Sequence, residues 1–407
     1  MSSKAFEGIK VAEFSWVIAG PVTDSYLAEH GATVIKVESH NRLDFMRTAS
    51  PLAPGRHGPD TSMGFGRHNA NKYGVSIDLK HPNGQKLALK LIMWADIVTE
   101  NFTPGVMEKC GLDYESVSKL RPDIIYLSSS MQGQEGPHAK YAGFGMQATS
   151  LSGFTGISGW PDRMPMYPYG AYTDYIGPRF NAAALIAALE YRRINGKGQL
   201  IEQSQCETAL QFLSPLIMDY LLNGRIAGRQ GNRLSCASPH GVFPCKGDDC
   251  WVAIAVFNDT EWRALDKAMG NPAWTKKAEF ATLLQRKINE DELEERLSEW
   301  TVNYTNDQVE SMLQAVGVAA NMAAKPSDMF KDPQVKHRRH FVRLDHPVMG
   351  RQAFESLSCY ILSKTPREVT KPSPCIGEHN IHVFKDLLGM TEDEIADYIA
   401  DGSITTG

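Results

Sequence analysis

The first 135 residues alternate short apolar runs with helical segments, and this alternation constrains the fold more than any other feature of the sequence. "GIKVAEFSW" and "ATVIKVE" are nearly continuous apolar runs, which is typical of parallel strands buried on both faces. Between them, "GPVTDSYLAEHG" predicts a helix with Pro21 in its first turn and Gly31 at its end. "YGVSIDL", "DIVTENF" and "IIYLSSSM" predict further strands, separated by helical segments. The pattern predicts a doubly wound α/β domain.

The segment 136–178 is rich in Gly, Tyr, Pro and Met and is predicted to be a long loop. A loop of this length inside a compact domain is usually functional. Helices are predicted at about 178–194 and 204–223, and "HGVFPCKGDDCWVAIAV" predicts a β-hairpin. Residues 259–315 have helical patterns, "FVRLDHPVMGRQAFES" predicts strands, and the chain ends in two predicted helices.

Composition excludes several classes of protein. The net charge of −5 argues against a nucleic-acid-binding protein, which normally carries a basic face. No apolar run approaches the roughly 18–20 residues of a membrane span, and the N-terminus lacks the apolar core of a signal peptide. The seven cysteines are scattered, which fits a reducing, cytoplasmic environment. Cys245 and Cys250 lack the partners of a zinc site, so no metal is expected.

Common catalytic and nucleotide-binding motifs are missing from the sequence. The first strand-to-helix turn, "SWVIAGP", contains only Gly20 in place of the three glycines of a dinucleotide-binding turn. The sequence has no phosphate-binding Gly-x-x-x-x-Gly-Lys-Ser/Thr loop and no Gly-x-Ser-x-Gly elbow. It also has no His-Glu-x-x-His zinc motif. These absences argue against an NAD-dependent dehydrogenase, a P-loop enzyme, a serine hydrolase of this type and a zinc peptidase.

Asp174 is an acid in "YPYGAYTDYIGPRF", directly before the predicted helix at 178–194. An acid in this position commonly caps the helix, and the residues alone favour that interpretation. A carboxylate near a helix N-terminus can also act as a nucleophile. The helix dipole is then expected to help keep the carboxylate ionised. The local sequence leaves both interpretations open.

A set of short motifs occurs in order along almost the whole chain: "VIAGP", "VIKVE", "NANKYGVSIDL", "ENFTPGV", "QGQEGP", "GAYTDYIGP", "NGKGQ", "HGVFPC" and "GEHN". In this order they resemble the class III CoA transferases, the family of formyl-CoA and carnitine-CoA transferases. The resemblance implies a doubly wound, Rossmann-like large domain, a smaller α+β domain and an interlocked dimer. It also implies coenzyme A as a co-substrate, with no permanently bound cofactor.

The resemblance also suggests domain boundaries. The large coenzyme-binding domain is expected to combine residues 1–200 with 340–407, and the small domain to span 225–330. Residues 201–224 and 331–339 are then expected to be linkers. The partners expected are acyl-CoA, carboxylic acids and a second subunit, either a copy of this chain or a related one.

By the same resemblance, Asp174 matches the catalytic aspartate, which forms an aspartyl-CoA thioester through mixed anhydrides. The resemblance, together with the composition of the loop around Asp174, suggests two sets of binding residues. Those suggested for coenzyme are Val17, Ile18, Ala19, Arg47, Lys72, Asn101 and Lys109. Those suggested for substrate are Glu135, Phe144, Tyr172 and His240. The chain departs from the family pattern at Lys109, where relatives commonly carry Arg, and at Ile18, which replaces the Gln of formyl-CoA transferase.

The substrate is less constrained than the family. The donor is expected to be succinyl-CoA, and the Met- and aromatic-rich loop suggests a bulky or aromatic acceptor acid such as benzylsuccinate. An alternative on the same fold is an alpha-methylacyl-CoA racemase, but Phe144 stands where those relatives carry a proton-accepting His. A second alternative is a subunit of a heteromeric CoA transferase.

Overall fold

The computed structural model describes residues 4–406. Within these residues the strands are β1 Lys10–Glu13, β2 Thr33–Glu38, β3 Tyr73–Ser76, β4 Ile97–Glu100, β5 Ile125–Ser130, β6 Gln199–Ser204, β7 His240–Pro244, β8 Trp251–Ala255, β9 Ala319–Met322, β10 Phe341–His346 and β11 Gly350–Glu355. The helices are α1 Ala19–Glu29, α2 Met63–Asn69, α3 Pro82–Trp94, α4 Val106–Lys109, α5 Tyr114–Leu120, α6 Gly145–Leu151, α7 Phe154–Ile157, α8 Tyr172–Asn195, α9 Gln205–Asn223, α10 Asp259–Ala268, α11 Leu283–Ile288, α12 Glu290–Thr301, α13 Asn306–Gln314, α14 Pro326–Met329, α15 Pro333–His337 and α16 Glu392–Ala400.

The described part of the chain forms two compact units. The first contains residues 4–154, 167–226 and 338–406, and the second contains 155–166 and 227–337. Residues 201–224, predicted to be a linker, instead form the end of β6 and helix α9, both within the first unit. The short segment 155–166 belongs to the second unit, which the local sequence did not indicate.

The first unit is built on a six-stranded parallel sheet with the order β3-β2-β1-β4-β5-β6. This order confirms the predicted doubly wound fold. Neighbouring residues of β1 face opposite sides of the sheet: Val11 joins one buried apolar cluster and Ala12 the other. Helices cover both faces, so the apolar runs seen in the sequence are buried on both sides.

The second unit is an α+β arrangement around a three-stranded antiparallel sheet, β7-β8-β9. The predicted hairpin is formed by β7 and β8, and Phe243 pairs with Val252 across it. Helices α10, α12 and α13 bury Leu265, Leu297 and Leu313 in one apolar cluster with both strand residues. The predicted smaller α+β domain is therefore confirmed.

The C-terminal segment completes the first unit. The "GEHN" motif binds the free edge of β3: the backbone N–H of His379 donates to the carbonyl of Gly74 at 3.0 Å. The side chain of Asn380 accepts from the N–H of Ser76 at 2.9 Å. This pairing satisfies the polar backbone of an edge strand.

Within residues 4–406, none of the helices combines the length and apolar character that a membrane crossing requires.

Candidate active site

Asp174 is the third residue of helix α8, which begins at Tyr172. The sequence prediction placed this helix start at about 178, after a segment predicted to be a loop. The helix instead begins six residues earlier and contains Pro178. Asp174 is therefore part of the first turn rather than a residue before it. Its side chain is buried, with 6% of its surface exposed.

Gly145, the first residue of α6, lies directly against the Asp174 carboxyl group. A Cβ placed on Gly145 would overlap a carboxylate oxygen of Asp174. The backbone N–H of Gly145 and the side chain of Gln205 form hydrogen bonds with this carboxylate. The hydroxyl of Thr173 donates to the carbonyl of Gly145 at 2.9 Å, which ties the first turn of α8 to α6.

Burial dominates the electrostatics of Asp174. Loss of water raises the pKa of its carboxyl group to about 7, although the hydrogen bonds from Gln205 and Gly145 act in the opposite direction. Burial therefore acts against the expected effect of the helix N-terminus, which favours the ionised carboxylate. A carboxyl group with a pKa near neutrality is a stronger base and nucleophile than an ordinary aspartate when it is ionised.

Aromatic residues lie on the segments that carry Asp174 and Gly145. Tyr172 packs edge-on against Phe154, with ring centroids 5.2 Å apart. Phe144, the residue before Gly145, is 62% exposed and stacks on Phe45 at 6.3 Å. The predicted loop residues Phe144 and Tyr172 thus lie close in sequence to the two groups that form the buried carboxylate site.

A second polar site lies at the carboxyl ends of β1 and β4, where the strand order reverses. The side chain of Asn101 accepts from the N–H of Trp16 and donates to its carbonyl, both at 2.7 Å. Residues Val17, Ile18 and Ala19 follow in the turn that enters α1. Of the residues predicted to bind coenzyme, the structure brings these four together.

A cavity of about 200 Å³ adjoins this turn. Its walls include the aromatic side chains of Trp16 and Phe102, and Arg42 lies 5.6 Å from the centre of the Trp16 ring. Lys80 also lines the cavity. Arg42 and Lys80 are not among the residues that the sequence analysis suggested for coenzyme.

Arg47 and Lys72, two of the predicted coenzyme-binding cations, are buried in ion pairs. The guanidinium of Arg47 contacts Glu38 and Asp60, each at 2.6 Å. The Nζ of Lys72 lies 2.8 Å from Glu13. Their charges are already compensated inside the protein, so the geometry argues against the predicted coenzyme contacts. The resemblance matched the motif letters but carried no information about burial.

The remaining predicted site residues lie on other segments of the chain. Lys109 is the exposed last residue of α4, and Glu135 is exposed in the segment after β5. His240 begins β7 in the second unit, where its Nδ1 lies 2.5 Å from the carbonyl of Asn232. The roles of these three residues stay predictions.

The fold and the buried carboxylate define the class of protein, and comparisons with known proteins agree. The family model described as CoA-transferase family III matches residues 6–380. Succinyl-CoA--D-citramalate CoA-transferase of Chloroflexus aurantiacus is 34% identical over 394 residues, covering 97% of this chain and 96% of that protein. The chain belongs to CoA-transferase family III.

Two further relatives extend the comparison. The succinyl-CoA--L-malate CoA-transferase beta subunit of the same organism is 31% identical over 394 residues, covering 96% of each chain. A CAIB/BAIF family protein from Brucella suis, known as a crystal structure, superposes with a TM-score of 0.86 at 29% identity. That superposition covers 95% of this chain and all of the other. The predicted family is therefore confirmed, and the chain is a CoA transferase.

Proposed function

We propose that this chain transfers coenzyme A from succinyl-CoA to a small dicarboxylic acid, with Asp174 as the nucleophile. The observation that carries the proposal is the buried carboxyl group of Asp174, whose hydrogen-bonding partners are Gln205 and Gly145. A carboxylate with a raised pKa in a site shielded from water suits attack on a thioester. The donor and the acceptor class follow the names of the two Chloroflexus aurantiacus relatives, a succinyl-CoA--D-citramalate and a succinyl-CoA--L-malate CoA-transferase.

The reaction proceeds in four balanced steps. An oxygen of Asp174 attacks the succinyl carbonyl carbon, the C–S bond breaks, and coenzyme A leaves as its thiolate. The thiolate attacks the Asp174 carbonyl, which releases succinate and forms an aspartyl-CoA thioester. The acceptor carboxylate then attacks this thioester, giving a second mixed anhydride and free thiolate. The thiolate attacks the acceptor carbonyl, which yields the new CoA ester and restores the Asp174 carboxylate.

Gly145 and Gln205 have complementary roles in this scheme. Two of the four steps place a tetrahedral oxyanion on the carbonyl carbon of Asp174. Hydrogen-bond donors already directed at the carboxyl group can stabilise that negative charge without reorganising. Because Gly145 has no side chain, the bulky thioester has room to approach the carboxylate.

The coenzyme is proposed to lie along the turn between β1 and α1 and in the adjoining cavity. Trp16 and Phe102 offer apolar walls for a flat adenine ring, and Arg42 and Lys80 offer cations for phosphate groups. These side chains replace Arg47 and Lys72 as the proposed sources of positive charge.

The acceptor acid is proposed to use the open cavity beside α6. This cavity of about 720 Å³ contains Lys140 together with the side chains of Met146 and Tyr167. Met146 follows Gly145 directly, so the cavity adjoins the residue that contacts Asp174. A single lysine suits the second carboxylate of a dicarboxylic acid. An aromatic acceptor such as benzylsuccinate stays a prediction, and the names of the two Chloroflexus aurantiacus relatives contain D-citramalate and L-malate instead.

A second subunit is proposed to cover helix α9. Its C-terminal half and the residues after it expose large apolar side chains, among them Leu222 at 76%. Exposed apolar surface of this extent marks a protein interface. A copy of this chain or a related subunit fits this surface, and one relative is named as a subunit.

Native mass spectrometry of the wild type and of Leu222→Lys tests this proposed interface. A dimer in the wild type and dissociation in the variant are expected, whereas a monomeric wild type would contradict the proposal.

The activity is tested by incubating the protein with succinyl-CoA and D-citramalate, L-malate, glutarate or benzylsuccinate, followed by mass spectrometry of the CoA esters. The expected products are new CoA thioesters of these dicarboxylic acids, which form with the wild type and not with Asp174→Asn. Loss of deuterium from an α-labelled acyl-CoA without acyl exchange would instead indicate a racemase.

A further inference from the structure

The turn between β1 and α1 contains a backbone conformation that its sequence disfavours. Val17 has a φ angle of +69°. Among residues 4–406, the other non-glycine residues with positive φ are Asn71, Asp249, Asn271 and Arg339, so Val17 is the β-branched member of this group. A β-branched residue in the left-handed region is strained and persists only when its surroundings hold it there.

Three polar side chains, of which Lys36 and Asp44 are fully buried, hold three consecutive residues of this turn. The Nζ of Lys36 donates to the carbonyl of Ser15 at 2.8 Å. Asn101 binds both backbone polar groups of Trp16, as described above. The backbone N–H of Val17 donates to both carboxylate oxygens of Asp44, at 3.1 and 3.2 Å.

Asp44 is well placed to act as the clamp on the strained residue. Its side chain is fully buried and pairs with Lys36, whose Nζ lies 3.1 Å from a carboxylate oxygen. The same carboxylate accepts from the N–H of Met46 at 3.0 Å. If Asp44 turned away from Val17, Lys36 would lose its shorter carboxylate contact and keep the longer one, 3.5 Å to Glu13.

The residues that follow Val17 present backbone donors. In the part of the chain that the structure describes, the N–H groups of Ile18 and Ala19 have no acceptor. They open helix α1 at the carboxyl edge of the sheet, beside the cavity proposed for coenzyme. A return of Val17 to a negative φ would rotate these two N–H groups away from their present direction.

We propose that Asp44, held by Lys36, is a positioning residue for coenzyme binding, because it stabilises the left-handed Val17 and thereby sets the direction of the Ile18 and Ala19 N–H groups. This inference rests on the proposed function. Asp44 does not itself touch the coenzyme. Val17 is among the residues that the resemblance suggests for coenzyme, but its N–H donates to Asp44 inside the protein.

The size of the effect follows from the strain. The left-handed conformation costs an L-residue such as Val17 free energy. Once the Asp44 side chain is removed, this cost is large enough to make the binding-competent turn the minor state. The apparent dissociation constant rises in inverse proportion to the population of the competent state. Asp44→Ala is therefore expected to weaken binding of coenzyme A about tenfold.

The test measures coenzyme A binding by isothermal titration calorimetry for wild type, Asp44→Ala and Asp44→Ala/Val17→Gly. Glycine adopts positive φ without strain, so the added Val17→Gly should restore most of the lost affinity. The matched control is Asp44→Ala/Ile18→Gly, because Ile18 has a φ of −129° and gains nothing of this kind from glycine. No recovery is expected there.

The outcomes separate this inference from the proposed function. If wild-type protein binds no coenzyme A, the proposed function fails. If the wild type binds but Asp44→Ala binds equally well, or if both glycine variants recover equally, the positioning role is wrong. If Asp44→Ala fails to fold, the double variant Asp44→Ala/Lys36→Met takes its place, because it removes both members of the ion pair. The effects of Val17→Gly and Ile18→Gly are then compared in that background.

Discussion

The Cα of Gly145 packs against the Asp174 carboxylate so closely that a Cβ at residue 145 would overlap a carboxylate oxygen and the Cβ of Ala171. The close approach joins two segments, the start of α6 and the first turn of α8, around one buried acid. It explains why a glycine occupies the position next to Phe144. The contact also provides the most direct way to disturb Asp174 without replacing it.

Gly145→Ala is expected to lower kcat at least about 100-fold, because the added methyl group displaces the carboxylate from its hydrogen bonds. Steady-state kinetics with succinyl-CoA measures the change. Gly156→Ala is the control, since Gly156 lies in α7, the next helix along the chain, and a Cβ there meets no atom within 4 Å. Full activity in Gly145→Ala would show that the carboxylate does not need its present position.

The activity should rise with pH around neutrality. The ionised form of Asp174 attacks the thioester, and burial raises its pKa to about 7, so the reactive fraction grows as pH increases from 6 to 8. The pH profile of kcat/KM measures this ionisation in the free enzyme. A flat profile over this range would mean that Asp174 is fully ionised or that another step limits the rate.

Gln205→Leu should move the midpoint of this profile to higher pH. The hydrogen bond from Gln205 favours the ionised carboxylate and so lowers the pKa of Asp174, and leucine removes the donor while preserving much of the volume. Gln211→Leu is the control, because Gln211 is exposed on the same helix. An unchanged midpoint in Gln205→Leu would show that Gln205 does not lower the pKa of Asp174.

Asp174→Asn should stabilise the protein above pH 7. The folded-state pKa lies above the unfolded value of 3.8, so the folded state binds the extra proton between these values. The contribution of Asp174 to the free energy of unfolding therefore falls as pH rises from about 4 to 7, by up to about 4 kcal/mol. Thermal unfolding of both proteins at pH 5 and pH 8 tests the sign. A lower Tm for the variant at pH 8 would contradict it.

The parallel sheet was predictable because its signal is local. Val11, Val34 and Ile125 belong to apolar runs buried on both faces, and the intervening helices carry ordinary start and end residues. The start of α8 was not predictable in the same way. Tyr172 and Gly177 belong to a stretch with loop-like composition, and packing of Thr173 against Gly145 stabilises the helix there.

The candidate site was predictable only in part. Asp174 was identified through its motif, but Gly145 and Gln205 lie 29 and 31 residues away in sequence. Nothing in the local sequence distinguishes Gln205 from an ordinary helical residue. Burial also reversed the interpretation of Lys72, because a lysine at the start of a strand looks exposed until its partner Glu13 is seen in β1.

The central claim is that the carboxyl group of Asp174 becomes acylated during turnover. The most direct measurement is peptide mass spectrometry of protein incubated with succinyl-CoA and then treated with hydroxylamine or borohydride. The account predicts that Asp174 is converted to the hydroxamate or the reduced alcohol, and that no other residue is converted in proportion to turnover. Unmodified Asp174 in protein that is actively exchanging coenzyme A would contradict it.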